Sequence, residues 1–267
     1  GAIVHRRGGH EEAIGLIEKA ARIDPSRADF MNTLGVANQA LGRIVEAEDC
    51  FRGALSLKPD YAAAHNNLGI ALRDLKRLPE AEQSFHEAVR IQPDYAEAHN
   101  NRGNVLGELG LLEKAESSLR RAIRIRPDYA EAHGNLGIVL RGLRKLVEAE
   151  RSARRAVTLK PDYAEAHNDL GVVLFGLGRA PEAERSYREA LALNPALAVA
   201  QGNLAYLLNC VAGRSPSEVL AAHREFAERF CSLAKPQPHR NARDPERRLR
   251  VGYVSADLRR HSVAFFI

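Results

Sequence analysis

Apolar side chains recur along this chain with the spacing of helices, and the helices they define recur every 34 residues. In residues 62–95, Leu68, Ala71, Leu72 and Leu75 stand at i, i+3, i+4 and i+7, the stripe of a helix with one buried face. Ala81, Phe85, Ala88, Val89 and Ile91 mark a second helix facing the first. Alanine returns at 47, 81, 115, 149 and 183 and at 54, 88, 122, 156 and 190, and glycine at 35, 69, 103, 137 and 171. Small residues in such rows let two helices approach closely. Proline at 25, 59, 93, 127, 161 and 195 ends each second helix by withholding an N–H and clashing with the preceding turn. Asp94, Asp128 and Asp162 are each followed three residues on by Glu97, Glu131 and Glu165, the capping-box spacing, which predicts that first helices start there, with Asp60 capping its own. A fixed period of this length predicts an all-α array of stacked helix pairs.

The same ruler divides the chain. Residues 1–27 read as a partial repeat, with Ala13, Ala20 and Pro25 in the alanine and proline slots, and five full repeats run from 28 to 197. Residues 198–213 keep a degenerate last first-helix, with Ala205 in the glycine slot. Ser215-Pro216-Ser217-Glu218 is a capping box that opens an amphipathic helix, so 214–233 is assigned as a capping helix over the last repeat. Residues 234–247, rich in Pro, Arg, Asn and His, read as a linker. From 248 to 267 the pattern switches to strand-like alternation followed by a loop, the opening of an α/β domain. Some twenty residues cannot build a sheet with its own core. The chain is therefore expected to be a fragment that opens inside a helix and stops at a truncated first strand.

The small residue at the eighth position, Ala at the twentieth and twenty-seventh, an aromatic or Leu at the twenty-fourth and Pro at the thirty-second resemble the tetratricopeptide repeat. The resemblance implies a right-handed superhelical solenoid whose first helices line a concave groove. The sixth position of successive repeats carries Thr33, Asn67, Asn101, Asn135, Asp169 and Asn203, on the wheel away from the Leu and Ala face. Asn67, Asn101, Asn135, Asp169 and Asn203 are the candidate peptide-binding residues. An amide offers a donor and an acceptor, so a row of them can pair with the backbone of an extended peptide whatever its side chains. The alternative is that these residues solvate a helix surface or bond between neighbouring repeats.

Charge and composition narrow the partners. Residues 1–197 hold 28 Lys and Arg against 28 Asp and Glu, whereas 198–267 hold 11 against 6, so the whole +5 lies at the C-terminal end. A neutral array without interleaved aromatics does not predict a nucleic-acid partner. Arg120, Arg121, Arg124, Arg151, Arg154 and Arg155 fall on second helices and read as a solvated outer face. Arg102 stands in the slot that is Leu34, Leu68, Leu136 and Leu170 elsewhere and reads as a snorkelling side chain. No apolar run reaches the length of a membrane span and no leader pattern opens the chain, which places the expected setting in the cytoplasm. Cys50, Cys210 and Cys231 lack CxxC spacing and read as free thiols. His65, His99, His133 and His167 recur in different repeats, too far apart to share a zinc ion.

The segment LRVGYVSADLRRHSVAFFI at 249–267, preceded by the repeats and the AAHREFAERF helix, resembles the junction in the O-linked N-acetylglucosamine transferase and SPINDLY family of glycosyltransferases. That resemblance implies a Rossmann-like catalytic region beginning at the truncated strand, transferring sugar to Ser or Thr of proteins recruited by the repeats. UDP-N-acetylglucosamine or GDP-fucose is the implied donor. His261 corresponds to the family's active-site histidine, whose imidazole suits donation to a diphosphate oxygen or proton transfer near neutral pH. The residues present here would not catalyse transfer by themselves. Protein or peptide acceptors are the expected partners, with self-association through the repeats compatible with such an array. The alternative is a non-enzymatic scaffold for protein assembly.

Overall fold

The computed structural model describes residues 15–17, 19, 24, 26–211 and 213–230. The chain divides into two units, Gly1–Cys231 and Ser232–Ile267, and the described residues all belong to the first. From Ala28 onward these form twelve helices and no strand: α1 (Ala28–Ala40), α2 (Ile44–Leu57), α3 (Ala62–Asp74), α4 (Leu78–Ile91), α5 (Ala96–Glu108), α6 (Leu112–Ile125), α7 (Ala130–Gly142), α8 (Leu146–Leu159), α9 (Ala164–Gly176), α10 (Ala180–Leu193), α11 (Ala198–Cys210) and α12 (Pro216–Phe230). Most of the partial repeat over 1–27, the linker over 234–247, the strand over 248–267 and His261 lie outside the described residues. No helix among the described residues is long and apolar enough to cross a membrane.

Each odd-numbered helix packs on the even-numbered helix that follows it and on the one before it. The backbones of odd-numbered helices also approach one another from repeat to repeat, whereas among the described residues even-numbered helices meet through long side chains, as Arg120 of α6 meets Glu148 of α8 at 2.6 Å. The array therefore bends around its first helices, which line the inner face of this unit.

The alanine rows explain the closeness of the pairs: all ten side chains at 47, 54, 81, 88, 115, 122, 149, 156, 183 and 190 are wholly buried. Glycine at the eighth position answers the bulk opposite it. A Cβ at Gly69 would lie 2.7 Å from the Phe85 ring, and one at Gly103 would lie 2.5 Å from Leu119. Gly137 is different, because its neighbour at that slot is Ala153 and its nearest atom, the Ala149 carbonyl oxygen, is at 3.4 Å.

The caps depart from the sequence reading. Tyr61, Tyr95, Tyr129 and Tyr163 are the N-cap residues and make no side-chain cap bond, and Asp60, Asp94, Asp128 and Asp162 stay in the turn before them. The helices start one residue later than aspartate capping would need. The acids of the first turn reach to the end of the same repeat's second helix instead: Glu97 pairs with Arg126 and Glu131 with Lys160 at 3.0 Å. Those cations lie over the rings of Tyr129 and Tyr163, 4.6 and 5.0 Å from their centroids. At α12 the box does form, with Ser215 N–H donating to Glu218 Oε2 at 2.9 Å and Glu218 N–H to Ser215 Oγ at 3.2 Å.

Candidate functional site

The sixth-position residues sit half-buried on the inner face, one per first helix, and a second row lies beside them. Asn32, Asn66, Asn100 and Asn168 occupy the fifth position, and the last three are 5% exposed. The two rows interlock across repeat boundaries. Nδ2 of Asn67 donates to Asn32 Oδ1 at 3.0 Å, Asn101 to Asn66 at 3.0 Å, Asn135 to Asn100 at 2.9 Å and Asn203 to Asn168 at 2.9 Å. Within a repeat, Asn66 and Asn100 donate in turn to Asn67 and Asn101 over a long 3.5 Å.

Sequence reasoning singled out the outer row and missed the inner one. Its signal was present as the doublets Asn66-Asn67 and Asn100-Asn101: a side chain one residue before the ladder position meets, 35 residues on, the ladder position of the next repeat. The bonding between repeats that the sequence left open as an alternative is therefore present. It does not exhaust the amides. An asparagine amide carries two donor hydrogens and two acceptor lone pairs, and Asn67, Asn101, Asn135 and Asn203 each commit one hydrogen to the neighbouring repeat. The bond fixes each amide plane, so the remaining donor and acceptor stand in one orientation along the face. Thr33 turns away, donating from Oγ1 to its own helix at Asp29 O over 2.7 Å.

One junction breaks the ladder from both sides. The inner-row position before Asp169 is Gly134, which has no acceptor to offer, and Asp169 has no amide hydrogen to give. The Asp169 carboxylate accepts from Asn168 Nδ2 at 3.3 Å. Burial raises its pKa to about 6, against the pull of that bond and of Arg141. Glu165, one turn earlier on α9, adds a like charge. Glu97 and Glu131 find cations 29 residues on, and the matching position for Glu165 is Asn194.

The repeated histidines staple the turns. Nε2 of His65, His99, His133 and His167 meets the carbonyl of Pro59, Pro93, Pro127 and Pro161 at 2.9, 3.1, 3.1 and 3.0 Å. Burial holds His99 and His133 below the ordinary histidine pKa, which keeps the rings neutral in this role.

Two profiles, each described as tetratricopeptide repeat, match residues 26–94 and 60–128 in one case and 100–164 and 135–198 in the other. Among solved structures, the chain is similar to the thermophilic TPR protein TTC0263 of Thermus thermophilus, with 27% identity over 68% of this chain and 99% of that one and a TM-score of 0.58. It is similar to YrrB, described as a TPR protein with an unusual peptide-binding site, with 21% identity over 70% of this chain and 96% of that one and a TM-score of 0.57. It is also similar to the Cut9–Hcn1 hetero-tetramer of APC/C, with 16% identity over 83% of this chain and 44% of that one and a TM-score of 0.72. A probable UDP-N-acetylglucosamine–peptide N-acetylglucosaminyltransferase SPINDLY of Petunia hybrida is 39% identical over 61 residues, 22% of this chain; the match spans 6% of that relative's length.

Proposed function

The chain belongs to the tetratricopeptide repeat family, and from that premise we propose that its inner face binds extended segments of other proteins through the asparagine ladder. The observation that carries this reading is the interlocking of the amides: each is fixed by one bond to its neighbour and keeps one donor and one acceptor free. A row of such pairs at repeat spacing suits the alternating N–H and C=O groups of an extended backbone. Preorganisation lowers the ordering cost of binding.

The finer proposal is that the bound segments are acceptors for a nucleotide-sugar-dependent protein O-glycosyltransferase of the O-linked N-acetylglucosamine transferase and SPINDLY type. Support comes from the residues at 249–267 and from the short SPINDLY match. In this reading His261 serves the active site, and UDP-N-acetylglucosamine or GDP-fucose is the donor.

The test uses two sets of variants with similar loss of inter-repeat bonds. Asn67→Ala, Asn101→Ala and Asn135→Ala together remove the outer amides, whereas Asn66→Ala with Asn100→Ala removes inner acceptors and leaves the outer amides in place. Both should lower the melting temperature, since each loosens bonds worth about 1 kcal/mol and leaves buried groups unpaired. Measured where circular dichroism shows both folded, the outer triple should lose at least about tenfold in affinity for extended acceptor peptides, or about 1.4 kcal/mol. The inner double should lose much less. Equal losses would make the ladder a structural device only.

A further inference from the structure

The outer side of the array holds a second kind of place. Between α4 and α6, a cleft of about 310 Å³ is floored by His99 and Arg102 of α5 and walled by Ser117, Ser118, Arg121 and Arg124 of α6. The cleft one repeat earlier, between α2 and α4, has the same construction with His65 and Leu68 on its floor and Gln83, Ser84 and Glu87 on the wall. The two differ by substitution at matching positions: Leu68 becomes Arg102, Glu87 becomes Arg121, and Gln83 becomes Ser117.

These changes alter the charge in a particular way. In the earlier cleft Glu87 bonds to Arg90 at 2.8 Å, a neutral i, i+3 pair, and Arg52 is held by Glu48 at 2.8 Å. In the later cleft the same i, i+3 positions are Arg121 and Arg124, two like charges one turn apart, an arrangement that destabilises a helix when nothing lies between them. Among the described residues no carboxylate pairs with either. Arg120 beside them does find partners, Glu116 at 2.8 Å and Glu148 at 2.6 Å, so acids are in reach of this helix and are bound elsewhere. Arg102 on the floor is tied to Glu82 at 2.8 Å. Three guanidinium groups thus share the cleft with one carboxylate. Burial, with Arg121 and Arg102 acting in the same sense, holds the His99 pKa down, so the ring adds no charge in the resting state.

We propose that the cleft between α4 and α6 is a binding site for a phosphate monoester, clamped between Arg121 and Arg124 and reached from the floor by Arg102. A guanidinium fork matches phosphate oxygens better than an ammonium does, and charge-assisted bonds of this kind are the strong ones. The hydroxyls of Ser117 and Ser118 add neutral donors at the rim. The phosphate relieves the Arg121–Arg124 repulsion that no carboxylate among the described residues relieves. This site is independent of the inner-face ladder and of the enzyme reading.

Calorimetric titration of the full chain at constant ionic strength, adjusted with chloride, tests it. The probes are inorganic phosphate, an extended peptide with one phosphoserine, and the same peptide with serine. Saturable binding of the phosphopeptide and not of the serine peptide is expected. Arg121→Glu should weaken that binding at least about tenfold, the effect of losing one charge-assisted contact and adding a repulsive one. Because Arg121→Glu recreates the Glu87–Arg90 pairing, it should melt no lower than the wild type, so lost binding is not lost folding. Arg121→Lys should keep part of the affinity. Binding of inorganic phosphate alone, with the same sensitivity to Arg121→Glu, would assign a free ligand rather than a peptide-borne one. Absence of saturable binding by both phosphate probes, or binding undiminished in Arg121→Glu, overturns the proposal.

Discussion

The repeats at 62–95 and 130–163 are built from helices of the same lengths, 13 and 14 residues, yet two contacts of the first have no counterpart in the second. In the first, Gly69 sits against the Phe85 ring, and Asn66 and Asn67 each bond into a neighbouring repeat. In the second, Gly137 faces Ala153, and Gly134 breaks the ladder to Asp169. A repeat position thus keeps its meaning only together with its partner. Glycine at the eighth position is needed because of the ring at the twenty-fourth, and an amide at the sixth is bonded only where the previous repeat supplies one at the fifth. In a linear array, where each repeat meets only its neighbours, such losses stay local.

The largest effect should separate the two glycines. Gly69→Ala drives a methyl into the Phe85 ring and should destabilise by about 1–3 kcal/mol, whereas Gly137→Ala meets ordinary contacts and should be neutral or stabilise by up to about 1 kcal/mol through helix propensity. Urea unfolding of both variants measures this, and similar losses at the two sites would remove the distinction.

Next is the pH response of the broken junction. The folded pKa of Asp169, about 6, lies above the ordinary aspartate value of 3.8. The folded state therefore binds the proton more tightly, and the contribution of this group is fully present below about 4 and lost as pH rises through about 6. Relative to Asp169→Asn, the wild type should gain stability on going from pH 7 to pH 4, on the order of 1–2 kcal/mol after allowance for its partial exposure. Paired thermal melts across that range decide it; a flat difference would mean the carboxylate is better solvated than its surroundings indicate.

The smallest effect concerns the turn inside each repeat. Gly42, Gly110 and Gly178 take φ of 75 to 77° there, and Lys76 and Arg144 take the same left-handed turn at 62 and 61°. Lys76→Gly and Arg144→Gly should each stabilise by no more than about 1 kcal/mol, the strain removed being partly offset by the entropy of a freer unfolded chain. A loss in either variant would show that the side chain repays its strain through contacts.

Period, helix pairing and burial of the alanine rows were legible in the sequence because each rests on local spacing. The aspartate caps were misread because Asp94 and Glu97 have the right separation, and spacing does not reveal that Arg126, 29 residues away, competes for Glu97. The ladder was half legible: Asn67 and Asn101 could be placed on a face, but their partners Asn32 and Asn66 lie in the preceding repeat, at a separation set by stacking rather than by any one helix. The unusual α4–α6 cleft was visible only as Arg102 in a leucine slot and six arginines on an outer face, and it took the ion pairs of Arg120 and Arg154 to show that Arg121 and Arg124 differ from them.

The amide bonds between repeats have a further property. Every one of them runs from the later repeat to the earlier: Asn135 to Asn100, Asn101 to Asn66, Asn67 to Asn32, and beyond the break Asn203 to Asn168. The row is a vector, with all its dipoles aligned. A chain laid along it in one sense meets donors and acceptors in a different order from the same chain reversed, so under the proposed peptide-binding function the inner face would tell the two ends of a peptide apart without reading any of its side chains.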